Sequence, residues 1–109
     1  MEAALWKQRQ RFQAAGDFPA RSEAVWEMII VCQNRPFYTV RNCEFCYTVK
    51  GHEIKISRKE KTITRATVEV ALRKALALKV VDGPKKLGVF GASYLYPWFL
   101  YFGIITKKE

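Results

Sequence analysis

The stretch Ser57-Arg-Lys-Glu-Lys-Thr-Ile-Thr-Arg65 sets Arg58, Lys59, Lys61 and Arg65 among the hydroxyls of Ser57, Thr62 and Thr64. It leaves an alternating segment and enters a helical one, so it also lies at a helix N-terminus. Free amides at such an end, joined by Arg and Lys donors, are the groups that hold phosphate. A solvated loop whose lysines only limit aggregation uses the same residues, and the pattern does not separate the two readings. A second basic turn, Gly83-Pro-Lys-Lys-Leu-Gly88, contributes Lys85 and Lys86. Its lysines precede the second glycine, whereas a nucleotide-binding P-loop needs Lys directly after it. The turn therefore reads as an extension of a basic patch. With Lys55 from the preceding strand, the predicted phosphate-contacting residues are Lys55, Arg58, Lys59, Lys61, Arg65, Lys85 and Lys86.

Cys32, Cys43, Cys46 and His52 are the remaining residues with ligand chemistry. Cys43-x-x-Cys46 has a permitted zinc spacing, and His52 would complete four donors. On a regular strand, however, side chains three residues apart point to opposite faces. No Gly or Pro follows Cys46 to make a knuckle. Structural thiols are the simpler reading, with Cys32 on an apolar helix stripe, and neither a metal nor another cofactor is expected. His52 is the single histidine, and the aspartates, Asp17 and Asp82, both fall at turns. No nucleophile–base pair or acid–base carboxylate pair is spaced for catalysis, so the sequence argues against an enzyme.

Nineteen Lys and Arg against ten Asp and Glu give a formal charge of +9 over 109 residues. Such an excess makes a field that attracts phosphate backbones, acidic proteins or anionic surfaces. The length suits one domain spanning 1–109, and the hydrophobic half of the residues is sufficient for a core. An odd, low cysteine number and an N-terminus without a long apolar run fit a reducing, cytoplasmic setting.

The elements that would position these residues are legible from periodicity. Residues 2–15 read as a helix with a basic outer side, stopped by Gly16–Asp17 and Pro19. Ser22 is the expected cap of a second helix, whose stripe is Val25, Met28, Ile29 and Cys32. Asn34 suits a left-handed stop, with Pro36 behind it. Phe37 to Val40 fits a short strand. From Cys43 to Arg58, Phe45, Tyr47 and Val49 and then Ile54 and Ile56 alternate with polar residues across Lys50–Gly51, which predicts a hairpin with one apolar face. Thr62 or Thr64 caps a third helix reaching about Leu78, with Val68, Leu72, Ala75 and Leu76 inside. Arg65, Glu69 and Arg73 are spaced to pair along its outer side. Val80–Val81 suits a short extended piece.

Leu87 to Thr106 carries no charge and is flanked by Lys85–Lys86 and Lys107–Lys108. The length would span a bilayer, but Gly88, Gly91, Ser93 and Pro97 interrupt it. A buried final helix starting near Ser93, with Pro97 accommodated near its first turn, is the expected outcome. Trp98, Phe99 and Phe102 would share one side of it, and Tyr94 and Tyr101 another.

Together these segments predict an α+β fold: a β-hairpin, or a three-stranded meander, packed on about four helices. Tyr47-Thr-Val-Lys-Gly51, the stretch from Ser57 to Arg65, Gly83 to Gly88 and Ser93-Tyr-Leu-Tyr-Pro97 resemble segments of small uncharacterised proteins of Firmicutes-type bacteria and their mobile elements. The similarity covers roughly residues 30–105. It implies a bacterial, cytoplasmic setting and supplies no activity or cofactor. The expected function is nucleic-acid binding, DNA or RNA, through the basic hairpin and helix surface. The alternative is an interaction or regulatory protein that binds an acidic partner, or itself through the aromatic final helix. Membrane association through residues 87–106 is the weakest reading.

Overall fold

A computed structural model describes residues 2–58 and 62–107. Lys59 and Lys61 lie outside the described residues. The chain begins with a helical pair, α1 (Ala3–Ala14) and α2 (Phe18–Val31). Asp17, not Ser22, caps α2, and its carboxylate accepts from the Ala20 amide at 2.9 Å. Pro19 thus belongs to the first turn, where a missing N–H costs no helical bond. This places Ser22 inside the helix, buried, with its hydroxyl donating to Glu69 at 3.0 Å. The interior of α2 buries Ala24, Val25, Trp26, Met28, Ile29 and the following Cys32, which makes it the central helix. Asn34 takes the expected left-handed conformation, with φ of 66°.

The segment expected as one strand from Cys43 to Lys50 is divided. β1 (Phe37–Tyr38) pairs with β2 (Glu44–Phe45), whereas β3 (Tyr47–Lys50), β4 (Glu53–Ile56) and β5 (Thr62–Thr64) form an antiparallel meander. The division falls at Cys46. Its amide donates to the Ser57 hydroxyl at 3.0 Å, and the Ser57 amide donates to the Cys46 carbonyl at 2.9 Å. A side-chain hydroxyl thus takes over one ladder bond, and the chain on either side is free to pair with different partners. The alternation survives this break, because Phe45 and Tyr47 are both buried. Ile54 lies opposite Ile63 across β4 and β5, which completes the apolar face of the three-stranded sheet. The other face carries Thr48, Lys55 and Thr62 in one cross-strand row and Lys50, Glu53 and Thr64 in the next. Tyr47 donates its hydroxyl to the Ile29 carbonyl at 2.6 Å, which ties the sheet to α2, and burial raises its phenol well above the ordinary value.

Thr64 ends β5 and also caps α3 (Arg65–Leu78), its hydroxyl accepting from the Thr67 amide at 3.3 Å. Val68, Ala71, Leu72 and Ala75 face the core. The expected pairing of Arg65, Glu69 and Arg73 along the helix does not form. That row meets α2 and its entrance instead. Arg65 binds Glu23, Glu69 accepts from Ser22, and the Arg73 guanidinium lies 3.8 Å from the Phe18 ring centre.

Past α3, the Val81 amide donates to the Thr106 carbonyl at 2.9 Å, making a parallel bridge between Val80 and Thr106. A 3₁₀ turn, Pro84–Leu87, leads to α4 (Ala92–Phe102). Pro97 is the sixth residue of α4, not a first-turn residue, so the Ser93 carbonyl lacks its helical donor. The last helix is held by packing instead: Leu95, Tyr96, Trp98, Phe99 and Phe102 are all buried, and the Tyr96 hydroxyl donates to the Val81 carbonyl at 2.7 Å. Among the described residues, no helix is long and apolar enough to cross a membrane. Trp98 is the hub of the core. Its ring lies 4.5 Å from that of Tyr47, 6.1 Å from Phe45 and 6.5 Å from Phe37, centre to centre. Both aromatic sides of α4 are largely spent inside the chain, with Tyr94 against Phe45 and only Tyr101 well exposed. A radius of gyration of 12.8 Å is that of one folded unit of about 100 residues.

Candidate anion-binding cleft

Three separated segments meet around an open cleft of about 720 Å³. The first is the loop joining β1 to β2, which carries Arg41. Its geometry is fixed locally: the Thr39 amide donates to the Cys43 carbonyl at 3.0 Å, and the Asn42 amide to the Thr39 carbonyl at 2.8 Å. The Thr39 hydroxyl accepts from the Cys43 amide at 3.2 Å, and Asn42 takes a left-handed φ of 61°. Asn tolerates that conformation better than most residues, so the loop closes with Arg41 at its tip. The second segment is the exit of β4, where the Cys46–Ser57 pair of bonds anchors the chain just before Arg58. The third runs from the 3₁₀ turn, with Lys85, to the first turn of α4, with Ser93 and Tyr94.

Arg41, Arg58 and Lys85 thus line one concavity, and among the described residues no carboxylate lines it with them. The N-terminus of α4 forms part of the wall and adds the positive end of its dipole. Three cations from three separate segments therefore add their fields over one concavity. A concave, low-dielectric wall strengthens that field over the same charges on a flat surface.

The residues expected to contact phosphate are distributed unevenly. Arg58 and Lys85 come together in the cleft, and Lys86 is exposed next to Lys85 on the same 3₁₀ turn. Lys55 is exposed on the outer face of the sheet and does not line the cleft. Arg65 is engaged elsewhere: it donates to Glu23 at 2.6 Å and lies 5.3 Å from the Trp26 ring centre. Sequence reasoning missed Arg41. The signal was present in Val40-Arg41-Asn42, a turn-forming Asn between two short strands, which places the preceding Arg at a hairpin tip.

The Arg65–Glu23 pair has a pH signature. The hydrogen bond and charge of Arg65 hold the Glu23 carboxyl below its ordinary value, against a smaller opposing effect of burial. A lowered folded-state value contributes stability that is present above the unfolded-state range, near pH 4.3, and lost as pH falls through the folded value. Glu23 is partly exposed, so the contribution is expected to stay below about 1 kcal/mol. Thermal melts of the wild type and Glu23→Gln are expected to differ at neutral pH and converge in acid.

Cys43 lines the cleft, whereas Cys32 is buried at the C-terminal end of α2 and burial raises its thiol above the ordinary value. His52 packs edge-on to Trp26, with ring centres 6.2 Å apart. Among the described residues, no group of three Cys, His, Asp or Glu is placed to hold a metal ion.

Fold and site together define a small basic α+β protein with a cationic cleft between a β-hairpin tip and a helix N-terminus. No protein-family model matches the chain, and neither a curated protein nor a solved structure matches it.

Proposed function

We propose that this chain is a nucleic-acid-binding module, not an enzyme, and that its contact surface centres on the cleft lined by Arg41, Arg58 and Lys85. The observation that carries this reading is the convergence of three cations from three distant parts of the sequence on one concavity. Solubilising charges on a protein surface have no reason to converge, whereas phosphate groups are held by such clusters. Lys86 lies beside the cleft and extends its positive field, and the net charge of +9 assists encounter from a distance. Lys55 belongs to a separate face and contributes through the long-range field alone.

The test is fluorescence anisotropy of labelled oligonucleotides, from low to physiological salt. Binding is expected to persist at physiological salt and to weaken linearly on a log–log scale as salt rises. The triple reversal Arg41→Glu, Arg58→Glu and Lys85→Glu is expected to lower affinity by about 100-fold or more and to reduce the salt slope by about three. Lys55→Glu is expected to change affinity by no more than about threefold, because it alters the field without removing a contact. A loss per reversed charge as large for Lys55→Glu as for the triple reversal would show that only overall charge matters, and would sink the cleft as the site.

A further inference from the structure

We infer that the cleft receives one unstacked nucleotide of a single-stranded nucleic acid, an inference that rests on the nucleic-acid reading above. Charge alone does not describe this cavity. Val40, beside Arg41 at the hairpin tip, lines it and is 59% exposed. Val89 and Tyr94 line the opposite wall, and Phe90, between lining residues Val89 and Gly91, is 57% exposed. Apolar side chains, exposed at Val40 and partly buried at Val89 and Tyr94, thus line the same concavity that gathers the cations.

A duplex offers a protein mainly phosphates and sugars, with its base faces stacked out of reach. Apolar walls gain little from such a ligand beyond contact with a thymine methyl group. A single strand offers the same phosphates together with the flat apolar faces of its bases, which stack on aromatic and aliphatic side chains. An open cleft of about 720 Å³ also has room for a nucleotide. In this arrangement Arg41, Arg58 and Lys85 take the phosphate, while Val40 and the Val89–Tyr94 wall flank the base.

The experiment compares single-stranded RNA, single-stranded DNA and a DNA duplex of one sequence, each about twelve nucleotides long, at physiological salt. A nucleoside 5′-monophosphate serves as the competitor. At least one single strand is expected to bind ten or more times tighter than the duplex, and the two single-strand arms show which sugar is preferred. The monophosphate is expected to displace it. Val40→Ser, at an exposed lining position, is expected to weaken single-strand binding about fivefold without changing the salt slope. Val40→Thr, which keeps the shape of the side chain, is expected to act in the same direction, and it keeps the test valid should the serine change disturb the hairpin tip. Equal affinity for duplex and single strand, or no effect of these substitutions, would overturn the inference and leave the nucleic-acid reading standing. Absence of binding to all three ligands would overturn both.

Discussion

Replacing Trp98 with alanine is expected to destabilise the protein by about 3–5 kcal/mol, enough to unfold much of the population near physiological temperature. Trp98 is fully buried and packs against Phe37, Phe45 and Tyr47, so it joins α4 to both sheets at one point. Truncation removes the contacts of an indole ring and leaves a cavity that three aromatic neighbours are too stiff to fill. Urea denaturation followed by far-UV circular dichroism measures the loss as a fall in midpoint. Trp98→Phe separates volume from polarity. The indole Nε1 has no hydrogen-bond partner among the described residues, so the phenylalanine variant gives up no hydrogen bond. Its expected cost is about half that of the alanine variant or less. If the two variants lost equal stability, the assignment of Trp98 as a packing hub would fall.

Gly91→Ala is expected to cost about 2–4 kcal/mol although it adds a single methyl group. Two penalties combine. Gly91 has a φ of +81°, a left-handed conformation that disfavours any Cβ. A Cβ there would also stand 2.7 Å from Cδ1 and 2.9 Å from Cγ1 of Ile63, a buried side chain of β5. The close approach exists because the start of α4 lies directly on the sheet, which is also what places the α4 N-terminus beside Arg58. The expected melting temperature falls by roughly 10 °C or more. Ile63→Val removes the Cδ1 atom, so the double variant Gly91→Ala with Ile63→Val is expected to lose less than the sum of the single changes. Strict additivity would show that backbone strain alone accounts for the effect.

Much of the fold was legible because periodicity reports which side of an element is buried. The alternation of buried residues from Phe45 to Ile56 persists across the break at Cys46, and the stripe of α3 holds at Val68, Leu72 and Ala75, with Ala71 added and Leu76 half-buried. What escaped depended on choices between equivalent local signals. Asp17 and Ser22 are both competent helix caps, and in the fold Asp17 takes the cap while Ser22 is spent on Glu69 of α3. The division at Cys46 turns on a serine eleven residues away, a partner that no local pattern marks. Pro97 lies deeper in its helix than propensity allows, because burial of Trp98, Phe99 and Phe102 outweighs one lost backbone bond.

The cleft was half legible. Basic clusters at Ser57–Arg65 and Gly83–Gly88 supplied Arg58 and Lys85, since charge runs are visible in any linear reading. Their convergence was not visible, because it depends on β2 leaving β3 to pair with β1 and thereby lifting Arg41 across from them. Arg65 shows the opposite failure. It belongs to the same basic run, yet α3 turns it toward Glu23 and Trp26. Adjacency along the chain set its charge neighbourhood and not its direction.

Cys43 gives the protein a chemical reporter of its own. Its thiol sits in the cleft wall, 3.9 Å from the Arg41 carbonyl, while Cys32 is sealed in the core and Cys46 lies outside the cleft. With Cys46 replaced by serine, alkylation by a small electrophile reads the accessibility of a single position. Any molecule that fills the cleft shields that position, so the rate of thiol modification becomes a titration curve for occupancy, and the ligand needs neither a label nor a known structure.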